Sequence, residues 1–188
     1  MLNREHGENR GLGLVFEKVV QFLDSPSCPI VSFYKSSRYN DEPSLFLFNA
    51  VVKSGSEGSS TLWGGGMAFN EKKAIVKAIG EGIERYCVSI IPRSELIHSS
   101  VEEFRFNKLL PTTIITVSED KKKTLRKFRF NKKSKFFWTK CLNAQTLDTI
   151  WLPAQLIYVP ETMWDEPIIQ YPITTGAAFG ISKEDALC

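Results

Sequence analysis

The sequence predicts an α+β fold in which a mixed or antiparallel sheet packs against helices. Three observations carry that expectation. Residues 30–34 and 44–52 are short runs rich in β-branched and aromatic side chains. Residues 71–90 carry apolar side chains at helical spacing. Residues 136–141 and 149–159 then return to an extended pattern.

Taken in order, the first element is a helix over Leu12–Leu23. Leu14, Val15, Val19, Val20, Phe22 and Leu23 form its apolar set, and Asp24-Ser25-Pro26 ends it. Two strands follow, Ile30–Tyr34 and Ser44–Val52. The stretch from Ser54 to Ser60 reads as a loop, and Gly64-Gly65-Gly66 extends the flexible backbone. Asn70 is placed to cap the central helix, with Glu71 in the first turn, where the helix dipole favours a negative charge. Its buried stripe is Ala74, Ile75, Ala78, Ile79, Ile83 and Tyr86, and Pro92 closes it. Near the end, Ser182-Lys183-Glu184-Asp185 has the pattern of a helix start with Ser182 as cap, and three residues follow it.

Composition narrows the function classes. With 43% hydrophobic and 24% charged residues, the 188-residue chain has the means to bury a core and is not of the disordered class. No apolar run has the length of a membrane span. The opening Met1-Leu2-Asn3-Arg4-Glu5-His6-Gly7 lacks the apolar core of a signal peptide, so the cytoplasm is the expected location. Cys28, Cys87, Cys141 and Cys188 form no C-x-x-C pair and have only His6 and His98 beside them, which excludes a zinc site by spacing. Reduced, mostly buried thiols are expected. Residues 121–140 hold ten of the 24 basic residues and no acidic one, leaving 14 basic and 21 acidic residues elsewhere, a net of −7. Phe128, Phe130, Phe136, Phe137 and Trp138 are interleaved with these cations. That pattern suits a single-stranded nucleic acid, and it equally suits a solvated hairpin whose aromatic residues face inward.

The central helix carries the chemistry. Lys77, Glu81, Glu84 and Arg85 share a face, because residues three and four apart are neighbours on a helix. One reading is a ladder of ion pairs, Lys77 to Glu81 to Arg85. The other is a pair of carboxylates, Glu81 and Glu84, presented to a cation; magnesium is commonly held by one or two carboxylates plus substrate phosphates. The glycines ahead of the helix could let backbone N–H groups approach an anion, or simply make a tight turn. No lysine-bearing P-loop pattern is present.

Gly64-Gly65-Gly66, Ala74 and the run Ala78-Ile79-Gly80-Glu81-Gly82-Ile83-Glu84-Arg85-Tyr86 resemble the first signature of the YcaO family, a Gly-rich turn leading into a helix of the form S-A-x-x-E-x-x-E-R. Trp138, Cys141-Leu142-Asn143, Leu152-Pro153-Ala154 and Tyr158 resemble the Trp strand and the V-P-A strand that follow it there. Thr174-Thr175-Gly176-Ala177-Ala178-Phe179-Gly180, with Glu184-Asp185-Ala186, resembles the S-N-G-x-A-x-G turn before a second E-x-x-E-R helix.

The resemblance implies ATP and magnesium as cofactors and a ribosomally made precursor peptide as partner, whose backbone amide oxygen is phosphorylated on the way to azolines, thioamides or amidines. It implies Glu81 and Glu84 as magnesium ligands, with Asp185 as a further one. Arg85 would support them or meet phosphate. Lys77, Gly65 and Gly66 complete the expected cofactor-binding set. Lys77 departs from the usual Ser, and Thr175 from the frequent Asn. On this reading residues 1–53 lead into the domain and residues 54–188 are a partial YcaO domain, with the second E-x-x-E-R helix missing. The expected protein is a truncated or split member with little or no catalysis alone, which would pair with a recognition protein or the missing C-terminal half. The alternatives are a non-catalytic peptide-binding or scaffold subunit and a nucleic-acid-binding domain acting through residues 121–140.

Overall fold

The computed structural model describes residues 2–37 (side chains from 11 onward), 41, 43–55, 61–111, 120, 130–159, 166–169, 173–174 and 176–187. Most of the expected Ser54–Ser60 loop, residues 121–129 of the basic stretch and Thr175 lie outside these described residues. The chain forms two compact units, one of Met1–Cys87 with Gly176–Cys188, the other of Val88–Thr175. Residues 30–35 and 46–53 share a sheet with residues 61–68 through antiparallel pairing.

The first unit begins with helix α1 (Leu2–Leu23), a longer helix than the sequence predicts. Strands β1 (Ile30–Lys35), β2 (Phe46–Lys53) and β3 (Thr61–Ala68) form an antiparallel sheet in that order. Helix α2 (Glu71–Ser89) follows directly. Asn70 caps it as expected, its Oδ1 accepting the Lys73 N–H at 3.0 Å. Alternation on β2 and β3 sends one set of side chains to the helix. Phe48, Ala50 and Val52 are buried there, and Phe48 packs with Ala74 and Ala78 of α2.

Gly64, Gly65 and Gly66 are not a loop. They lie inside β3, paired with Ala50, Asn49 and Phe48. The reason is packing. A Cβ at Gly66 would collide with the Ala74 carbonyl and backbone of Ala78, and one at Gly64 would lie 2.5 Å from the Ala78 carbonyl oxygen. The helix backbone rests on the strand backbone, which only residues without side chains permit. Gly82 meets the sheet from the other side, where a Cβ would come 2.9 Å from Val52 Cγ2.

The end of the chain returns to this unit. Gly176 takes a positive φ of 98°, and the Phe179 ring fills the space a Cβ at Gly80 would occupy, 2.7 Å from Phe179 Cδ1. A short helix α3 (Lys183–Leu187) begins as expected at Ser182, whose Oγ accepts the Asp185 N–H at 3.2 Å.

The second unit is built on strands β4 (Ile97–Ser100), β5 (Lys135–Leu142) and β6 (Thr149–Pro153), antiparallel with β5 in the middle. Trp138 and Phe136 are fully buried, in a cluster with Phe104 and Ile169. Phe104 stacks on Trp138 at 4.6 Å, Phe130 meets Phe136 edge-on, and the Trp138 indole N–H donates to Ser99 O at 3.0 Å. Three of the aromatic residues near the basic stretch are thus core, not a stacking platform. β6 is shorter than the extended segment the sequence predicts. Past Pro153, the Phe137 N–H that would continue the ladder donates instead to Glu166 Oε2 at 2.8 Å. Gln155 holds Glu166 from the far side (Nε2 to Oε1, 2.8 Å) and also bonds Pro167 O and Ile169 N–H.

Cys87 is exposed and Cys28 and Cys141 are half-buried, so the expectation of mostly buried thiols is corrected for these three, which are all free. No helix among the described residues is long and apolar enough to cross a membrane.

Two outcomes follow from this packing. Gly66→Ala is expected to destabilise the fold by about 3 kcal/mol, because helix and strand backbones must part. Gly65→Ala, whose Cβ would find only Glu81 Oε2 at 3.8 Å, should change stability by under about 0.5 kcal/mol. Urea unfolding of the two variants measures the contrast. Glu166 supplies the second outcome, since burial raises its pKa to about 7. The folded state then holds a proton that the unfolded state releases above the ordinary carboxyl value near 4.5. Stability should fall as pH rises from that value to about 7 and level off above, a loss of at most about 3 kcal/mol. Unfolding midpoints at pH 5 and 8 should show this slope in the wild type and a flatter one in Glu166→Gln.

Candidate functional site

Six of the seven expected site residues, all but Asp185, lie on β3 and α2. Among the described residues β3 is the edge of its sheet, so the groups on its outer side have no neighbouring strand there. Side chains from α2 take their place. Glu81 Oε2 accepts the Gly65 N–H at 2.7 Å, and Lys77 Nζ donates to the Met67 carbonyl at 3.2 Å. Residues 65 and 67 point to the same side of a strand, and 77 and 81 are one helical turn apart, so the two periodicities match. Of the ion-pair ladder, one of the two readings of this face, the Glu81–Arg85 rung is present, while Lys77 donates to the strand edge.

Glu81 is the hub. Its second oxygen, Oε1, accepts both Nε (3.0 Å) and Nη2 (2.7 Å) of Arg85. Both groups are about one-third exposed, at 37% and 34%. Such a pair contributes about 0.5 kcal/mol. Its value is geometric, because the planar guanidinium and the strand N–H together fix the carboxylate plane.

Glu84 lies one turn from Glu81. Its carboxyl pKa is raised, first by burial and then by the Glu81 charge, with Arg85 pulling the other way. The two carboxylates therefore repel one another, which a bound cation would relieve. Their hard oxygens suit magnesium, which takes few protein carboxylates and completes its shell with water and phosphate. The residues present fit that ion as a two-carboxylate wall.

Asp185 has a different position. Its Oδ2 accepts the Ile181 N–H at 3.3 Å, reciprocal to the Ser182 bond, so it closes a capping box at the start of α3. Among the described residues no three His, Cys, Asp or Glu side chains converge on a metal position. Gly65 contributes its N–H to the site through Glu81, while Gly66 contributes helix contact. The sequence alone did not reveal that the strand edge orients Glu81. No local signal was available, because three consecutive glycines read alike in a turn and in a strand beneath a helix.

A family model described as YcaO cyclodehydratase, ATP- and Mg2+-binding, matches residues 65–188. The chain belongs to the YcaO family. Its structure is similar to that of YcaO from Methanopyrus kandleri bound with AMPPCP and Mg2+ (TM-score 0.62, 11% identity, 94% of this chain and 39% of that one). It is also similar to a heterocyclase in complex with substrate and cofactor (TM-score 0.70, 15% identity, 92% of this chain and 26% of that one). At these identities the likeness establishes the fold. The chain spans about two fifths and about a quarter of the two chains it resembles. No curated protein matches it by sequence.

Replacing Glu81 by Gln removes one of the two causes that raise the Glu84 pKa and leaves the larger one, burial. In Glu81→Gln the Glu84 pKa is expected to fall part of the way and to stay above the ordinary carboxyl value. A carboxyl-carbon NMR titration of Glu84 in both proteins checks this; an unmoved pKa would mean that the two carboxylates do not share a site.

Proposed function

We propose that this chain supplies the first-helix wall of a magnesium–ATP site, within a YcaO-type cyclodehydratase that acts on a ribosomally made peptide. The observation that supports it best is the pairing of Glu81 and Glu84 on one face of α2, inside the region the family model matches. When bound, magnesium–ATP supplies a phosphoryl group for the peptide's amide oxygen, which turns that oxygen into a phosphate leaving group. In this reading Glu81 and Glu84 hold the metal. Gly65 N–H orients Glu81, Arg85 stands ready for a phosphate oxygen, and Lys77 anchors the strand edge to the helix. A Cys, Ser or Thr side chain of the peptide is the nucleophile that azoline formation requires. Two carboxylates alone hold magnesium loosely, so affinity for the nucleotide complex by this chain should be weak.

Glu84→Gln is the direct test. Because burial and the Glu81 charge already disfavour the ionised form of Glu84, the variant should keep its unfolding free energy within about 0.5 kcal/mol. It should weaken magnesium–ATP binding by about tenfold or more through the lost ligand. Calorimetric titration of both proteins reads this. Equal affinity would leave the two glutamates as a structural pair and end the proposal.

A further inference from the structure

In this structure both oxygens of Glu81 already accept hydrogen bonds. Oε2 is taken by the Gly65 N–H, and Oε1 by two N–H groups of Arg85. The partners differ in kind. The Gly65 N–H is part of a strand locked under α2 by the Gly64 and Gly66 contacts, so it cannot leave. Arg85 is on a flexible side chain about one-third exposed, and it can swing into solvent. A cation approaching the Glu81–Glu84 pair thus meets one fixed donor and one removable one.

We infer that Arg85 is a resident counter-ion that occupies the Glu81 metal position and is displaced when the metal arrives, while Gly65 keeps the carboxylate aimed. This rests on the reading of Glu81 and Glu84 as magnesium ligands. The physical case is competition for one oxygen. The guanidinium neutralises Glu81 and offsets its repulsion with Glu84, which keeps two like charges together in the metal-free protein. A divalent ion does the same with more charge and shorter bonds. The freed guanidinium then needs an anion, and the phosphates that accompany the metal are suited to its fork. Metal and nucleotide affinities are thereby coupled through one side chain, each lowering the cost of admitting the other.

The test uses the 188-residue chain and bare Mg2+ or Mn2+, with no nucleotide. In a Mg2+ titration followed by NMR, the Arg85 Nε–H signal should lose its hydrogen-bonded shift, while the Gly65 amide stays bonded. In Mn2+ binding followed by electron paramagnetic resonance, Arg85→Gln should bind roughly fivefold more tightly than wild type, the equivalent of a partly exposed ion pair. Arg85→Lys, which keeps the charge and loses the fork, should lie between. Saturation with an unmoved Arg85 Nε–H, or Arg85→Gln binding no tighter than wild type, would overturn the displacement while leaving the ligand assignment in place. If neither wild type nor Arg85→Gln binds the ion, and Glu84→Gln changes nothing, the ligand reading fails and the displacement falls with it.

Discussion

The contact between the backbone of α2 and the backbone of β3 is the constraint on which the candidate site depends. Side chains at positions 64 and 66 would force helix and strand apart, since the space a Cβ would fill is already occupied by helix main chain, that of Ala74 and Ala78 among it. With glycine there, the helix settles until Ala74 and Ala78 are fully buried. At that separation, and only there, Glu81 and Lys77 reach the open edge of the strand. One packing decision thus does two things. It buries the apolar stripe of the helix, and it supplies partners for edge groups that would otherwise face solvent or invite another strand.

The electrostatics of the site follow from that placement. Glu81 is held by partners of both kinds, the Gly65 amide and the Arg85 guanidinium, at a position about one-third exposed. Glu84 draws a smaller electrostatic support from Arg85. It is partly buried beside another negative charge, and its proton is harder to remove for both reasons. Two carboxylates one turn apart with unequal environments are a poor way to stabilise a helix and a reasonable way to hold a hard cation. The family to which the chain belongs, described by ATP and Mg2+ binding, is consistent with the second use.

The second unit is organised around a different device. Trp138 and Phe136 alternate inward from β5 and build an aromatic core with Phe104. The sheet stops at Pro153, and a carboxylate completes the hydrogen bonding that a longer strand would have made. Glu166 carries a shifted pKa for this structural reason, with Gln155 tying it to the buried Ile168–Ile169 segment. A perturbed carboxyl is therefore not by itself a sign of catalysis here. Its partners are one backbone amide and a buried amide side chain.

Much was legible from the sequence, and for local reasons. The helical periodicity of residues 71–90, the Asn70 and Ser182 caps, and the alternation of β2 and β5 depend on neighbours within a few positions, so single-chain pattern exposes them. The Glu81–Glu84 spacing is local too, which is why the resemblance to the YcaO family could be drawn from E-x-x-E-R. What the sequence could not decide lies at longer range. Three consecutive glycines have the same composition in a turn and in a strand beneath a helix; only the tertiary contact with Ala74 and Ala78 distinguishes them. Lys77 could pair with Glu81 or reach the strand, and the choice was made by how closely the strand edge approached. Glu166 reads as one more acidic residue until Pro153 ends its strand and leaves an amide for it to accept. Sequence determined which surfaces are apolar and which residues carry charge, because those are properties of single side chains and their spacing. The tertiary structure decided which charges meet, because that depends on distances between segments far apart in the chain.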